Sequence, residues 1–423
     1  MVKPNSKNNK NPSVNKSSAL RTAVDENRLI DISPDTSRSL IISTGITSRN
    51  ISRRNFLKGT AGVGCTLALS SRIFANPYIF PEESRKYIRE ARYYEKLANK
   101  KIRCQLCPRQ CVIDDRERGY CGVRENNDGV YYTLVYARPC SLNVDPVEKK
   151  PFFHFYPGSA AFSLATAGCN VNCKFCQNWE ISQTRPEDVR SYYLLPEEIA
   201  GQAQKYGCQS IAYTYSEPTI YYEYMMDCVL AGRKKGIKNV VVTAGYIARD
   251  PLIELCKVVD AIKVDLKAFS DTYYKDIVNG ELKPVLDSLV TMRKLNVWTE
   301  IVYLVVPTLN DSEQEFRDLS RWIKTNLGTD VPVHFTRFHP QYLLKNLPPT
   351  PVKTLELAKE IADSEGLNYT YVGNVPGHSG ENTLCPKCHQ TVVQRTGFTV
   401  EEINIQNGLC KFCKFKIAGK WGI

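Results

Sequence analysis

Cys169, Cys173 and Cys176 fall within eight positions of the stretch ATAGCNVNCKFCQNWE, residues 165–180. A C-x3-C-x2-C spacing suits metal ligation better than long-range disulfides. A closed structural site takes four ligands, and no nearby cysteine supplies the fourth. Three thiolates can anchor three irons of a cuboidal [4Fe-4S] cluster and leave the fourth iron to an exogenous ligand. An open coordination position is what separates a reactive metal centre from a structural one. The competing reading is a zinc ion completed by a distant cysteine or by one of the five histidines.

Eleven of the sixteen cysteines lie in three tight groups. Cys385-x2-Cys388-x21-Cys410-x2-Cys413 forms two knuckles at zinc-ribbon spacing, which predicts a closed tetrahedral zinc site, with a rubredoxin-like iron as the alternative. Cys104-x2-Cys107-x3-Cys111-x9-Cys121 places four thiolates in 18 residues, enough for zinc or for an auxiliary Fe–S cluster. The spacing leaves those two open, together with free thiols. Cys65, Cys140, Cys208, Cys228 and Cys256 are isolated and read as small buried hydrophobes.

The elements that must hold these groups alternate in type. Strand-like apolar runs occur at 161–166, 208–214, 239–243, 261–266, 298–305, 331–337 and 368–372. Between them lie amphipathic stretches such as PEEIAGQAQKYG, EQEFRDLSRWIKTNLG and VKTLELAKEIADSEG, the last two ending at glycine. Such alternation implies parallel strands with right-handed crossovers. The fold class is therefore α/β, a partial (β/α)6-type TIM barrel with an N-terminal cysteine-rich module and a C-terminal zinc-ribbon-like module. The three-cysteine loop, YSEPT (215–219), TAGY (243–246), Asp265 with Lys267, VPTLND (306–311), and Arg337 with His339 and Pro340 all follow strand ends. The C-terminal ends of barrel strands are where such folds gather their active sites. One further helix is predicted over 81–100, where Pro-Glu-Glu precedes Tyr87, Ala91, Tyr94 and Leu97 at helical spacing.

The 423 residues carry a net charge of +12, with 43% hydrophobic and 24% charged residues, a composition of an ordinary globular protein with a sizeable core. Residues 1–58 account for +7 and residues 385–423 for +4, so the body is nearly neutral and nucleic acid is not the expected partner. Residues 1–50, rich in Ser, Asn, Lys and Thr, read as a disordered leader. Residues 51–76 combine Arg53-Arg54 with a short apolar run and resemble a twin-arginine (Tat) export signal. Export or membrane association is thus expected from the leader. The remaining divisions are 77–150 for the cysteine-rich module, 151–375 for the barrel and 376–423 for the ribbon.

The three-cysteine array, with the aromatic Phe175 before its last member, resembles the signature of the radical S-adenosylmethionine (SAM) superfamily. CQLCPRQCVI, RGYCGVREN, DPVEKKPFFHFYPGS, GCNVNCKFCQNWEISQ, YTYSEPTIYYEY, VDLKAF and HFTRFHPQY resemble, more narrowly, the AmmeMemoRadiSam-system radical SAM enzymes, relatives of the pyruvate formate-lyase activating enzymes. The resemblance covers about 85–423. It implies that S-adenosylmethionine (AdoMet) fills the open iron and is cleaved reductively to a 5′-deoxyadenosyl radical, which abstracts hydrogen from a substrate. It also implies a low-potential electron donor, such as a flavodoxin or ferredoxin, and Memo-type and AMMECR-type partner proteins. AdoMet chemistry with such donors points to the cytoplasm, against the export signal. On this resemblance Glu217 would accept from the methionine ammonium, Lys267 would pair with its carboxylate, and Asp265 would take ammonium or ribose hydroxyls. Gly245 would allow close approach to the adenosine, and Thr243 and His339 would contact sugar or substrate. Related activases carry Gly-Gly-Glu where this chain has Tyr215-Ser216-Glu217, which keeps the carboxylate and loses the glycines. A glycyl-radical activase acting on a partner protein is the second reading. A non-catalytic zinc protein whose knuckles bind RNA or protein is the third.

Overall fold

The computed structural model describes residues 82–422. The leader (1–50), the twin-arginine segment (51–76) and Cys65 lie outside the described residues. The centre is one eight-stranded sheet, formed by β1 (Ser141–Pro146), β2 (Ala160–Ala165), β3 (Ser210–Tyr213), β4 (Lys238–Thr243), β5 (Ala261–Asp265), β6 (Trp298–Val305), β7 (Val333–Arg337) and β8 (Thr370–Gly373). The strands lie side by side in sequence order, β2 to β8 are parallel, and β1 runs antiparallel along the edge of β2. The sheet is open: its two outer strands are not bonded to each other, so no barrel closes.

The parallel strands number seven, at the positions read from the sequence to within about three residues. The edge strand β1 is not among them, because SLNVDP has few apolar residues and ends in proline. Proline is tolerated at a strand edge and hides the signal. The crossovers carry α1 (Pro196–Lys205), α2 (Tyr222–Lys234), α3 (Arg249–Cys256), α4 (Leu282–Lys294), α5 (Glu313–Asn326) and α6 (Val352–Ser364). Helix α5 starts where Ser312 accepts from the Glu315 N–H, a side-chain N-cap, and the chain leaves it at Gly328 with φ +95°. Cys208, Cys228 and Cys256 are buried, and Cys140 is partly so.

The helix predicted over 81–100 does not form. One turn at Glu82–Arg85 gives way to short strands at Arg89–Glu90 and Tyr94–Lys96. Tyr94 pairs with Cys104 and Lys96 with Ile102, while Arg89 pairs with Thr133. Tyrosine favours extended chain, and cross-strand partners from the cysteine-rich segment override the helical spacing. At the other end, β9 (Thr383–Leu384), β10 (Thr391–Thr396) and β11 (Thr399–Ile403) form a three-stranded antiparallel sheet. Val392 and Val393 of this sheet, with Ile405 and Trp421 from the segment after it, pack on Phe153, Tyr369 and Tyr371 of the central body.

Candidate functional site

Because β2 to β7 are parallel, the loops after them open on a single edge of the sheet. Cys169, Cys173 and Cys176 occupy the loop after β2. Gly168 starts that loop at φ +95°, where a Cβ would stand 2.6 Å from Val123 Cγ1 and 2.7 Å from the Cys121 carbonyl oxygen. Glycine is what lets the two cysteine loops touch. The loop is then pinned from outside: the Asn172 and Lys174 N–H groups donate to the Val278 and Ile277 carbonyls at 3.0 and 2.9 Å. The Asn178 side chain donates to the Tyr215 carbonyl at 2.9 Å.

Cys173 is buried, and Cys169 and Cys176 are partly exposed. Burial pushes the Cys173 thiol up to about 12, although the Lys267 ammonium beside it pulls the other way. A thiol so deeply buried becomes a thiolate ligand when a metal supplies the compensating positive charge. Three thiols on one loop, with a lysine alongside, fit an iron–sulfur cluster with an open position. Phe175 is buried, tilted against Tyr273 at 6.2 Å between ring centroids, and the Lys267 Nζ stands 5.9 Å from its ring.

Asp265 ends β5 between two cations. One carboxylate oxygen accepts from Lys263 and the other from Lys267 at 3.0 Å. Burial would raise its pKa, but the two ammonium groups hold it down at about 2. Burial likewise opposes the charge on Lys267, yet Asp265 and Cys173 keep its ammonium well above the ordinary lysine value. Lys263 was not singled out in the sequence. The signal was present, since Lys263, Asp265 and Lys267 recur at every second residue and a strand sends such residues to one face.

Glu217 is buried and its carboxylate accepts four hydrogen bonds from the chain itself. Thr219 N–H, Thr219 Oγ1 and Thr243 Oγ1 donate to one oxygen at 3.1, 2.7 and 2.6 Å, and Ala244 N–H donates to the other at 2.8 Å. These bonds tie the loop after β3 to the loop after β4. The structure thus adds a loop-locking task to the acceptor role expected of this carboxylate, whose second oxygen takes a single bond from the chain. Thr243 passes the lock on, accepting from Gly245 N–H at 3.0 Å. Gly245, at φ +70°, turns toward the core: a Cβ there would meet Val264 Cγ1 at 3.0 Å and Val285 Cγ1 at 3.2 Å. Gly245→Ala is therefore expected to destabilise the chain by about 1–3 kcal/mol, from overpacking and from the left-handed backbone. Urea unfolding of the purified variant checks this, and an unchanged midpoint would refute it. His339 lies exposed after β7, in the segment whose Gln341 side chain donates to the Gln177 carbonyl at 3.2 Å and whose Leu343 N–H donates to the Lys174 carbonyl at 2.9 Å.

Two groups were missed altogether. Lys150, buried, donates to Asp145 of β1 at 2.5 Å and to the Tyr215 hydroxyl at 3.1 Å. Burial lowers the Lys150 pKa to about 8, with Asp145 opposing. The other is Arg124, 1% exposed, which bonds the Ile220 carbonyl at 3.0 Å and Glu223. Each sits in a stretch of polar and charged residues, Glu148-Lys149-Lys150 and Arg124-Glu125-Asn126, that reads as solvated surface, so neither announced itself. At the C-terminal end, the Sγ atoms of Cys385, Cys388, Cys410 and Cys413 all lie within 4.8 Å of one another, as ligands of one metal ion would.

The Radical SAM superfamily model matches residues 163–320, the span from β2 into α5. The uncharacterized protein MJ0808 of Methanocaldococcus jannaschii is 46% identical over 332 residues, which cover 78% of this chain and 99% of that protein. The pyruvate formate-lyase 1-activating enzyme of Escherichia coli is 24% identical over 214 residues, 47% of this chain and 87% of that enzyme. Among solved structures, a radical SAM methyltransferase from Sphaerobacter thermophilus matches 54% of this chain and 71% of its own, with 18% identity and a TM-score of 0.42. The chain belongs to the radical SAM superfamily, a family of enzymes that implies a [4Fe-4S] cluster and S-adenosylmethionine.

Proposed function

We propose that Cys169, Cys173 and Cys176 hold the [4Fe-4S] cluster and that the chain delivers a 5′-deoxyadenosyl radical to a substrate at the C-terminal edge of the sheet. The bound cluster and AdoMet supply one-electron cleavage of a carbon–sulfur bond. The observation that carries this reading is the meeting of the three-cysteine loop with the Lys263–Asp265–Lys267 array. Lys267 stands close enough to Cys173 to stabilise its thiolate, and its ammonium suits the methionine carboxylate of AdoMet. Asp265 fixes that ammonium in place. Glu217 and Thr243 hold the neighbouring loops together, so the binding edge is preorganised.

The test is direct. Anaerobically reconstituted protein given AdoMet and a strong low-potential reductant should release 5′-deoxyadenosine and methionine. A cluster-loaded chain that leaves AdoMet intact would refute the reading. An activase role, with hydrogen taken from a glycine of a partner protein, is favoured by the pyruvate formate-lyase activating enzymes among the relatives. Deuterium carried from a labelled partner into 5′-deoxyadenosine distinguishes it from small-molecule chemistry. Memo-type and AMMECR-type proteins are the partners to try first, with a flavodoxin or ferredoxin as donor.

For Cys385, Cys388, Cys410 and Cys413 we assign zinc. A tetrahedral ion with Zn–S bonds of about 2.3 Å sets its sulfurs about 3.8 Å apart. Here Cys385 and Cys413 stand 3.5 Å apart, and Cys388 and Cys410 3.8 Å.

A further inference from the structure

We propose that Cys104, Cys107, Cys111 and Cys121 hold a second iron–sulfur cluster, in backbone contact with the loop of the first three cysteines. The four thiols are gathered by the fold: Cys104 and Cys107 are buried and Cys111 and Cys121 partly so. The Cys104 N–H donates to the Cys111 carbonyl at 2.9 Å, which closes the loop on itself.

Spacing separates the candidate ions. Among the described residues, only the C-terminal quartet brings its sulfurs within 4.8 Å of one another. Cys104, Cys107, Cys111 and Cys121 stand wider than one tetrahedral ion requires. A cuboidal cluster, with four irons between the thiolates, spreads them further than a single zinc does.

A second observation points into the same space. Arg124 is 1% exposed, and its Nη1 has no hydrogen-bond partner although Nε and Nη2 are bonded. Cys104 and Cys121 both lie in the electrostatic reach of this guanidinium. A buried donor left unpaired costs about 1–3 kcal/mol, more when charged, and an anionic cluster ligated by thiolates would satisfy it. Two contacts join the quartet to the first site. Arg109, between Cys107 and Cys111, donates to the carbonyl of Asn170 at 2.5 Å and to that of Asn279. The Cys121 carbonyl closes on Gly168, next to Cys169. A one-electron carrier would thus sit directly beside the AdoMet-binding loop.

The experiment uses the full chain with Cys169, Cys173 and Cys176 all changed to alanine, reconstituted anaerobically with iron and sulfide and then desalted. The variant should retain about four irons and about four acid-labile sulfides per chain, and show a paramagnetic signal after dithionite reduction. Adding Cys111→Ser should abolish both. Wild-type chain should take up about eight irons, and Cys104→Ser or Cys121→Ser should reduce this to about four. A triple variant that binds no iron and carries two zinc ions per chain overturns the proposal. So does a wild-type chain that saturates at about four irons and loses all of them in the triple variant. Failure of the first cluster alone looks different, since wild type and triple variant would then bind the same amount of iron.

Discussion

Stripping the zinc proposed for Cys385, Cys388, Cys410 and Cys413 should unfold the C-terminal strands and uncover the floor of the central sheet. A segment of roughly 40 residues buries too little apolar surface to fold by itself. A structural zinc contributes on the order of 10–16 kcal/mol of apparent binding energy at neutral pH, which exceeds anything the small strands supply. The consequences reach beyond the ribbon because Arg395, on β10, is fully buried against the body. It donates to the Phe153 carbonyl at 2.7 Å and to Thr383 Oγ1 at 2.9 Å, with its Nε 3.9 Å from Glu148. Glu148 and Glu300 are themselves fully buried, and Glu300 accepts from the Phe153 and His154 N–H groups, each at 2.9 Å. Unfolding of β10 withdraws the guanidinium from these carboxylates and exposes Phe153, Tyr369 and Tyr371. A strong chelator, or Cys410→Ser, is therefore expected to open residues 382–422 to limited proteolysis and to lower the melting temperature of the remainder. Metal analysis of the untreated chain should give one zinc at this site. Metal-free protein that resists protease at 382–422 would show that packing alone holds the ribbon, and the energetic argument would fail.

The sequence carried the seven parallel strands because each is a compact apolar run bounded by turn residues, and burial on both faces makes such runs continuous. It carried the cysteine groups because ligand spacing is local. What it could not carry was set by partners distant in the chain. The stretch 81–100 has helical spacing, but its extended conformation depends on Cys104, Ile102 and Thr133 across the ladder. Glu217 reads from sequence as a ligand-binding carboxylate, and its part in joining two loops appears only with the convergence of Thr219, Thr243 and Ala244 upon it. Gly245 likewise suggests a ligand from sequence, whereas Val264 and Val285 give it a packing reason. Arg124 and Lys150 are invisible for the same cause: a buried charge is identified by its counter-ion, and Glu223 and Asp145 come from elsewhere in the chain or from a strand the pattern did not mark.

Asp265→Asn should be the most damaging single substitution at the candidate site. The carboxylate lies between Lys263 and Lys267, whose side chains keep only 5% and 16% of their surface exposed, while its own keeps 27%. Removing one member of a buried ion pair costs about 3–5 kcal/mol, because the partner stays buried and charged. Here two ammonium groups lose the same anion, and the partial exposure of Asp265 places the expected loss near the lower end, about 3 kcal/mol. Lys263→Met removes one cation, leaves the Asp265–Lys267 pair intact and should cost less. The pH dependence follows from the sign of the shift. Asp265 is held at about 2 in the folded chain, below its ordinary value of 3.8, so its stabilisation is complete above that value and is lost as pH falls toward 2. The titrating part amounts to about 2 kcal/mol. Urea unfolding of cluster-free protein should therefore show a gap between wild type and Asp265→Asn that is constant from pH 7 to about 5 and narrows below pH 4. A gap that does not change with pH would mean the loss is steric. The same variant should bind AdoMet more weakly in the cluster-loaded chain, since Lys267 loses the group that fixes its ammonium beside Cys173. Normal AdoMet affinity together with a 3 kcal/mol loss of stability would confine Asp265 to the fold and leave Lys267 to act without it.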